Sequence, residues 1–118
     1  MFNSTSKLQN SEESQNQFKS SMWHLLHSMS AYYPDEPTEQ EISDHKEALL
    51  DIAEVSSEYL SDWSKNFIKY YESHPPNLAN RKSFSIWMCE HHNRMRKDED
   101  KALFSCEYEN LKKRWGPS

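Results

Sequence analysis

This sequence predicts an all-α fold: a four-helix bundle followed by a short fifth helix. Three observations carry that expectation. The 118 residues include a single glycine and a single valine, whereas strands draw on β-branched residues and their turns on glycine. Between residues 23 and 115 the apolar and aromatic side chains recur every three or four positions, the period of one helix face. The breaks between these runs are short, so consecutive helices should pack antiparallel. A chain of this length makes one domain.

Residues 1–19 are rich in Ser, Asn and Gln and nearly empty of hydrophobic side chains. They predict a disordered polar arm ahead of a domain over residues 20–116. The arm has no apolar stretch for a secretory signal and no arginine for a mitochondrial presequence. No segment approaches the roughly 20 apolar residues of a membrane span. Trp23, Leu26, Met29, Ser30 and Tyr33 fall on one face of a first helix, which Pro34 and Pro37 end. Thr38 and Glu41 fit a capping box. That box opens a second helix to about Val55, burying Ile42, Ala48 or Leu49, and Ile52. Tyr59, Leu60, Trp63, Phe67, Tyr70 and Tyr71 mark a third helix, and residues 74–77 break it with two prolines. A fourth carries Phe84, Trp87, Met88, His91 and Met95. Residues 97–101 form a charged loop, and Tyr108, Leu111 and Trp115 mark a short last helix.

Leu, Ile, Val and Phe supply only 19 residues, a share at which disorder becomes a question. Fifteen aromatics answer it, all but Phe2 and Phe18 lying at or after Trp23. Each buries roughly 150–250 Å², enough for a core. The net charge of −5 argues against nonspecific nucleic-acid binding, which needs a basic surface. Charge is also segregated: residues 1–80 hold 5 basic and 13 acidic side chains, residues 81–118 hold 9 and 6. An anionic ligand would belong to the second segment.

The lone Gly116 excludes glycine-rich phosphate loops. Two cysteines, Cys89 and Cys106, exclude an all-cysteine zinc site, and Cys89 with His91 and His92 lacks a fourth ligand, so no metal site is expected. By composition alone the cysteines could be free thiols or a disulfide, the latter worth roughly 3 kcal/mol of loop closure.

Residues 81–93 place Arg81, Phe84, Trp87, Cys89, His92 and Asn93 in an R-x-x-F-x-x-W-x-C-x-x-H-N pattern, and residues 23–34 place Trp23, His27 and Tyr33-Pro34 in a W-x-x-x-H…Y-P pattern. Together with Cys106, 17 positions after Cys89, and the Arg114-Trp115 pair, the whole domain resembles the flavin-dependent sulfhydryl oxidases of the Erv/ALR family. The resemblance implies a four-helix bundle with a short fifth helix and FAD at its mouth. It implies that Trp23, His27, Tyr32, Cys89, His92, Asn93, Lys101, Arg114 and Trp115 line the cofactor, and that Cys89 and Cys106 form a structural disulfide. It further implies a dimer through the first two helices and a home in the mitochondrial intermembrane space, with cytosol or nucleus as alternatives.

The sequence departs from the family where the chemistry is done. Counted from residues 44–47, the redox-active C-x-x-C falls on Glu58 and Ser61, and neither side chain can do thiol–disulfide exchange. Lys19 and Ser20 stand where a Gly-Arg is common, and Arg96 where an asparagine is common. The leading expectation is therefore an FAD-binding relative with no dithiol oxidase activity of its own, inactive or regulatory. It would pair with itself or with an active relative. One alternative is a flavin-dependent thiol oxidase that uses cysteines of a partner thiol protein. The other is a flavin-free helical interaction module.

Overall fold

The computed structural model describes residues 12–117. Five helices follow in order: α1 (Glu12–Ala31), α2 (Glu39–Ser56), α3 (Ser61–Ser73), α4 (Arg81–Asp98) and α5 (Tyr108–Trp115), with no strand among the described residues. Helix α4 packs against α1, α3 and α5, while α2 packs on α3. That central place follows from its sequence. Phe84, Ser85, Trp87, Met88, Cys89, His91, His92 and Met95 are all buried, a spread too wide for one helical stripe. Around it lie Trp23 and Leu26 of α1, Leu49 and Ala53 of α2, and Trp63 and Phe67 of α3.

The structure corrects the polar arm. Residues 12–19 belong to α1, and residues 1–11 lie outside the described residues. Glu12 and Glu13 sit in the first turn of α1, where carboxylates offset the helix dipole. Phe18 meets Tyr59 edge-on at 5.1 Å, and Lys19 pairs with Glu99 at 3.8 Å. These distant anchors hold the polar turns in the helix.

Helix α1 ends at Ala31, so Tyr33 lies just beyond it, yet Tyr33 is only 1% exposed. Its hydroxyl donates to the Leu78 carbonyl at 2.8 Å, and its own carbonyl accepts from Arg81 Nε at 2.6 Å. The proline turn is thereby fixed to the start of α4. The capping box forms as expected: Glu41 N–H donates to Thr38 Oγ1 at 3.1 Å, and Thr38 N–H to Glu41 Oε1 at 3.0 Å. In α2, Leu49 is buried, whereas Ile42, Ala48 and Ile52 are half-buried. Ser64 donates to the Ala53 carbonyl at 2.5 Å, joining α3 to α2. Asn80 caps α4 by accepting from Ser83 N–H at 2.8 Å.

After α4 the chain reverses at Asp100, whose φ of 56° is left-handed, a region Asp tolerates better than most residues. Cys89 and Cys106 form a disulfide with Cα atoms 5.6 Å apart. The segment between α4 and α5, here called the strap, is thus tied to the middle of α4. Gly116 closes α5 where a Cβ would lie 2.8 Å from the Lys112 carbonyl oxygen.

The reciprocal cap on α2 yields a stability prediction. Thr38→Ala should cost about 1 kcal/mol, read as a lower urea midpoint by circular dichroism, and Thr38→Ser should recover most of it.

Candidate functional site

Four aromatic rings meet where α1, α4 and α5 converge. Trp23 and His27 are one helical turn apart on α1 and so share a face. The Trp23 ring stacks on His92 of α4 with centroids 3.8 Å apart and planes 10° apart. Trp115 of α5 stacks on His27 at 4.3 Å and 3°. His27 Nε2 and His92 Nδ1 are hydrogen bonded at 2.8 Å, joining the two stacks.

Beside the rings is a half-open cleft of about 210 Å³. Trp23, His92, Phe104 and Trp115 supply flat faces, and Lys19, Arg96, Lys101 and Arg114 supply four cations against one carboxylate, Glu99. Glu99 pairs with Lys101 at 2.8 Å and Lys19 at 3.8 Å, so it fixes two of the cations. The other two are held over Phe104, each guanidinium carbon 4.3 Å from the ring centroid. Arg96 Nε also donates to the Ala102 carbonyl at 2.6 Å. Two smaller clefts share Trp115 as a wall. One, of about 150 Å³, includes His27, Ser30, Arg81, Ser85 and Tyr108. The other, of about 190 Å³, includes His27, Cys89, Phe104 and Asn110.

Most of the residues expected here are brought together: Trp23, His27, Cys89, His92, Lys101, Arg114 and Trp115 all line these clefts. Three expectations meet a different geometry. Tyr32 is 61% exposed and lines none of the three clefts, while its neighbour Tyr33 is buried. Asn93 spends its amide on the strap: Nδ2 donates to the Phe104 carbonyl at 3.0 Å, and Oδ1 accepts from Phe104 N–H at 2.9 Å. It therefore positions Phe104 and lines none of the three clefts. Glu58 and Ser61 are exposed, one in the α2–α3 turn and the other at the start of α3. The buried pair with the same spacing is Leu60 and Trp63, each 4% exposed, and Trp63 meets Trp23 at 5.7 Å. Phe104, not singled out in the sequence, is the platform for both arginines. Its signal was an aromatic two residues before Cys106.

Three histidines in this region are buried and held neutral. Burial, reinforced by Arg114 and His24, lowers His27 to about 3. Burial, with His27 and then Arg96 and Arg114 nearby, lowers His92 to about 2. Burial, then Arg94 and His74, lowers His91 to about 3. His91 is fully enclosed against Trp87 at 4.5 Å and Phe67 at 4.3 Å, with neither ring nitrogen hydrogen bonded.

A flavin dinucleotide needs cations for its pyrophosphate and flat faces for its rings, and this cleft offers both. The histidines set the pH dependence of stability. An unfolded His binds its proton near pH 6.5, and these three do so only near 2–3 when folded. Between those values the unfolded state holds more protons, so stability falls as pH falls below about 6.5. Each contributes at most about 1.4 kcal/mol per pH unit. Urea midpoints measured from pH 7 to 4 should show this slope, and His91→Phe should reduce it by about a third.

The Erv1 / Alr family model matches residues 20–116. The mitochondrial FAD-linked sulfhydryl oxidase ERV1 of Saccharomyces cerevisiae is 36% identical over 96 residues, covering 80% of this chain and 48% of that protein. FAD-linked sulfhydryl oxidase ERV1 of Arabidopsis thaliana is 30% identical over 94 residues, covering 80% of this chain and 47% of that protein. The chain spans about half the length of the curated relatives it matches. Among solved structures, the FAD binding domain of Erv1 from Saccharomyces cerevisiae superposes with a TM-score of 0.75 at 36% identity, covering 84% of this chain and 90% of that one. A C30S/C133S mutant of the same Erv1 gives 0.75 at 36% identity, covering 85% and 81%. The ring stacks, the disulfide-tied strap and every residue of the cationic cleft but Asn16 and Lys19 lie within the matched stretch of 97 residues, 20–116, and this chain belongs to the Erv1/Alr family.

Proposed function

We propose that this chain is an FAD-binding, sulfhydryl-oxidase-like domain that lacks its own redox dithiol and acts as an inactive or regulatory member of its family. One observation carries the reading. The chain has two cysteines, and both are consumed in the disulfide that ties the strap to α4. Thiol–disulfide exchange requires an attacking thiolate, and none remains here. The exposed Glu58 and Ser61 cannot substitute, and the buried Leu60 and Trp63 present apolar surface.

FAD, when bound, would supply a two-electron acceptor. Lys19, Arg96, Lys101 and Arg114 would hold its pyrophosphate, and Trp23, His92, Phe104 and Trp115 would offer ring faces. Trp63, buried and 5.7 Å from Trp23, backs the Trp23 ring. Pairing through α1 and α2, with a second copy or an active relative, is supported by large side chains exposed there, Leu25, Leu50 and Val55, with Tyr32 exposed just beyond α1. No helix among the described residues is long and apolar enough to cross a membrane. The mitochondrial intermembrane space fits a disulfide-bearing chain and the mitochondrial name of the yeast relative.

A second reading is supported by the intact ring cluster: a partner's dithiol could reduce a flavin held here. The purified chain should be yellow, release flavin on denaturation and fail to oxidise dithiothreitol. Added FAD should raise its melting temperature by mass action. Arg114→Ala should weaken FAD binding about tenfold or more, the loss of a charge-assisted contact. Bleaching by a partner's reduced dithiol would favour the second reading, and robust oxidation by the chain alone would overturn the first. A colourless chain indifferent to FAD would instead be a flavin-free interaction module.

A further inference from the structure

The hydrogen bond between His27 and His92 joins two rings that open onto different clefts. His92 lines the cationic cleft with Trp23, Arg96 and Lys101. His27 lines the two smaller clefts, which share Trp115 as a wall with the cationic one, and one of them, the second cleft, is bounded by Arg81, Ser85 and Tyr108. We propose that the His27–His92 pair is a proton relay between that second cleft and a flavin held in the cationic one. The inference rests on the flavin reading above and adds a function for these two side chains.

Four features of the geometry support it. Each ring spends one nitrogen on the shared bond of 2.8 Å. Nδ1 of His27 and Nε2 of His92 have no hydrogen-bond partner among the described residues, and neither is fully enclosed, in contrast to both nitrogens of His91. One free nitrogen is therefore available at each end. Trp115 stacks on His27 and Trp23 on His92, so the rings are held in a fixed alignment. Burial keeps both rings neutral, with Arg114 and His24 adding to it at His27 and His27, Arg96 and Arg114 at His92. Each then carries one N–H and one bare nitrogen, the arrangement a relay needs. His91, equally buried, opens on no cleft and cannot take part.

The step balances. A proton from hydronium or a buffer acid reaching the second cleft binds His27 Nδ1, leaving water or the buffer base behind. The His27 Nε2 proton passes to His92 Nδ1, and His92 releases its Nε2 proton into the cationic cleft. One proton enters, one leaves, and both rings end neutral with their tautomers exchanged. Concerted passage avoids a free imidazolium, which burial disfavours. FAD, held by Lys19, Arg96, Lys101 and Arg114, would supply a two-electron acceptor whose reduction consumes one proton, and the histidine pair would carry that proton. The reverse path through the two rings would carry one proton out and restore the starting tautomers.

The test uses the FAD-loaded full chain. Two equivalents of reduced methyl viologen supply electrons without protons, and a pH-indicator dye follows proton uptake in stopped flow. In the wild type, uptake should keep pace with flavin bleaching, and ferricyanide should return one proton. His27→Gln can still hydrogen bond to His92 but cannot exchange a proton, so uptake should slow by about 10²-fold and recover in part with added imidazole. His74→Gln, at an exposed histidine just after α3 that lines none of the three clefts, should leave it unchanged. A proton inventory on the wild type in mixed H₂O and D₂O should be bowed, since several protons move together. A linear inventory, or unchanged uptake in a yellow His27→Gln protein, would overturn the relay alone. A colourless wild type would remove the flavin reading and the relay with it.

Discussion

The strap between α4 and α5 is the constraint on which the site depends. It has no regular structure of its own between residues 101 and 107, yet it carries Lys101 and Phe104 and delivers α5. Three ties fix it. The Cys89–Cys106 disulfide joins its far end to the middle of α4. Asn93, one turn further along α4, pairs through both amide atoms with the backbone of Phe104. Arg96, nearly a turn beyond, donates to the Ala102 carbonyl. The three side chains sit on one face of α4 because their spacing follows the helical turn. Without them Phe104 would lose its place, and with it the platform for Arg96 and Arg114. The disulfide is thus structural in a specific sense: it sets the geometry of a cationic cleft some distance along the helix.

The ring cluster shows a second constraint, set by desolvation. Histidine is costly to bury when charged, and three of them lie at or near the centre of this bundle. The fold admits them as neutral, flat, partly apolar rings stacked on tryptophan and edged by phenylalanine. His27 and His92 also satisfy each other's hydrogen-bonding capacity in part. His91 does not, and its unpaired nitrogens cost stability. Strong packing against Trp87 and Phe67 offsets this locally. The same neutrality lets the cationic cleft collect four basic side chains without added repulsion from imidazolium.

The fold was legible in the sequence because its signals are local. Helical periodicity, the Thr38–Glu41 box and the proline breaks each act within a few residues, and the five helices follow from them. The first two turns of α1 were not legible. Their anchors, Phe18 on Tyr59 and Lys19 on Glu99, join residues far apart in sequence. Within the site, the types of residue could be read from spacing, but their tasks could not. Asn93 has the chemistry of a ligand contact, and only the strap's backbone shows where its amide is used. Tyr32 and Tyr33 are adjacent, and the end of α1 at Ala31 decides which of them turns inward. Glu58 and Ser61 were counted forward through the α2–α3 turn, where chain register depends on how Leu60 and Trp63 pack.

That last pair sharpens the proposed reading. Positions three apart at the start of a helix share a face, and the buried face at the start of α3 is one stripe. Here that stripe holds Leu60 and Trp63, with Trp63 against both Trp23 and Phe67. A residue of this size fills space that a cysteine would leave as a cavity, and shrinking a buried Trp costs about 3–5 kcal/mol. The wall is therefore committed to packing as well as lacking sulfur. Phe67, 5.3 Å from Trp63, and Trp23, which also forms the floor of the cationic cleft, both depend on it. In the proposed reading, the side of the site that would meet a dithiol has become core, while the side that would meet a dinucleotide keeps its rings, its cations and its strap.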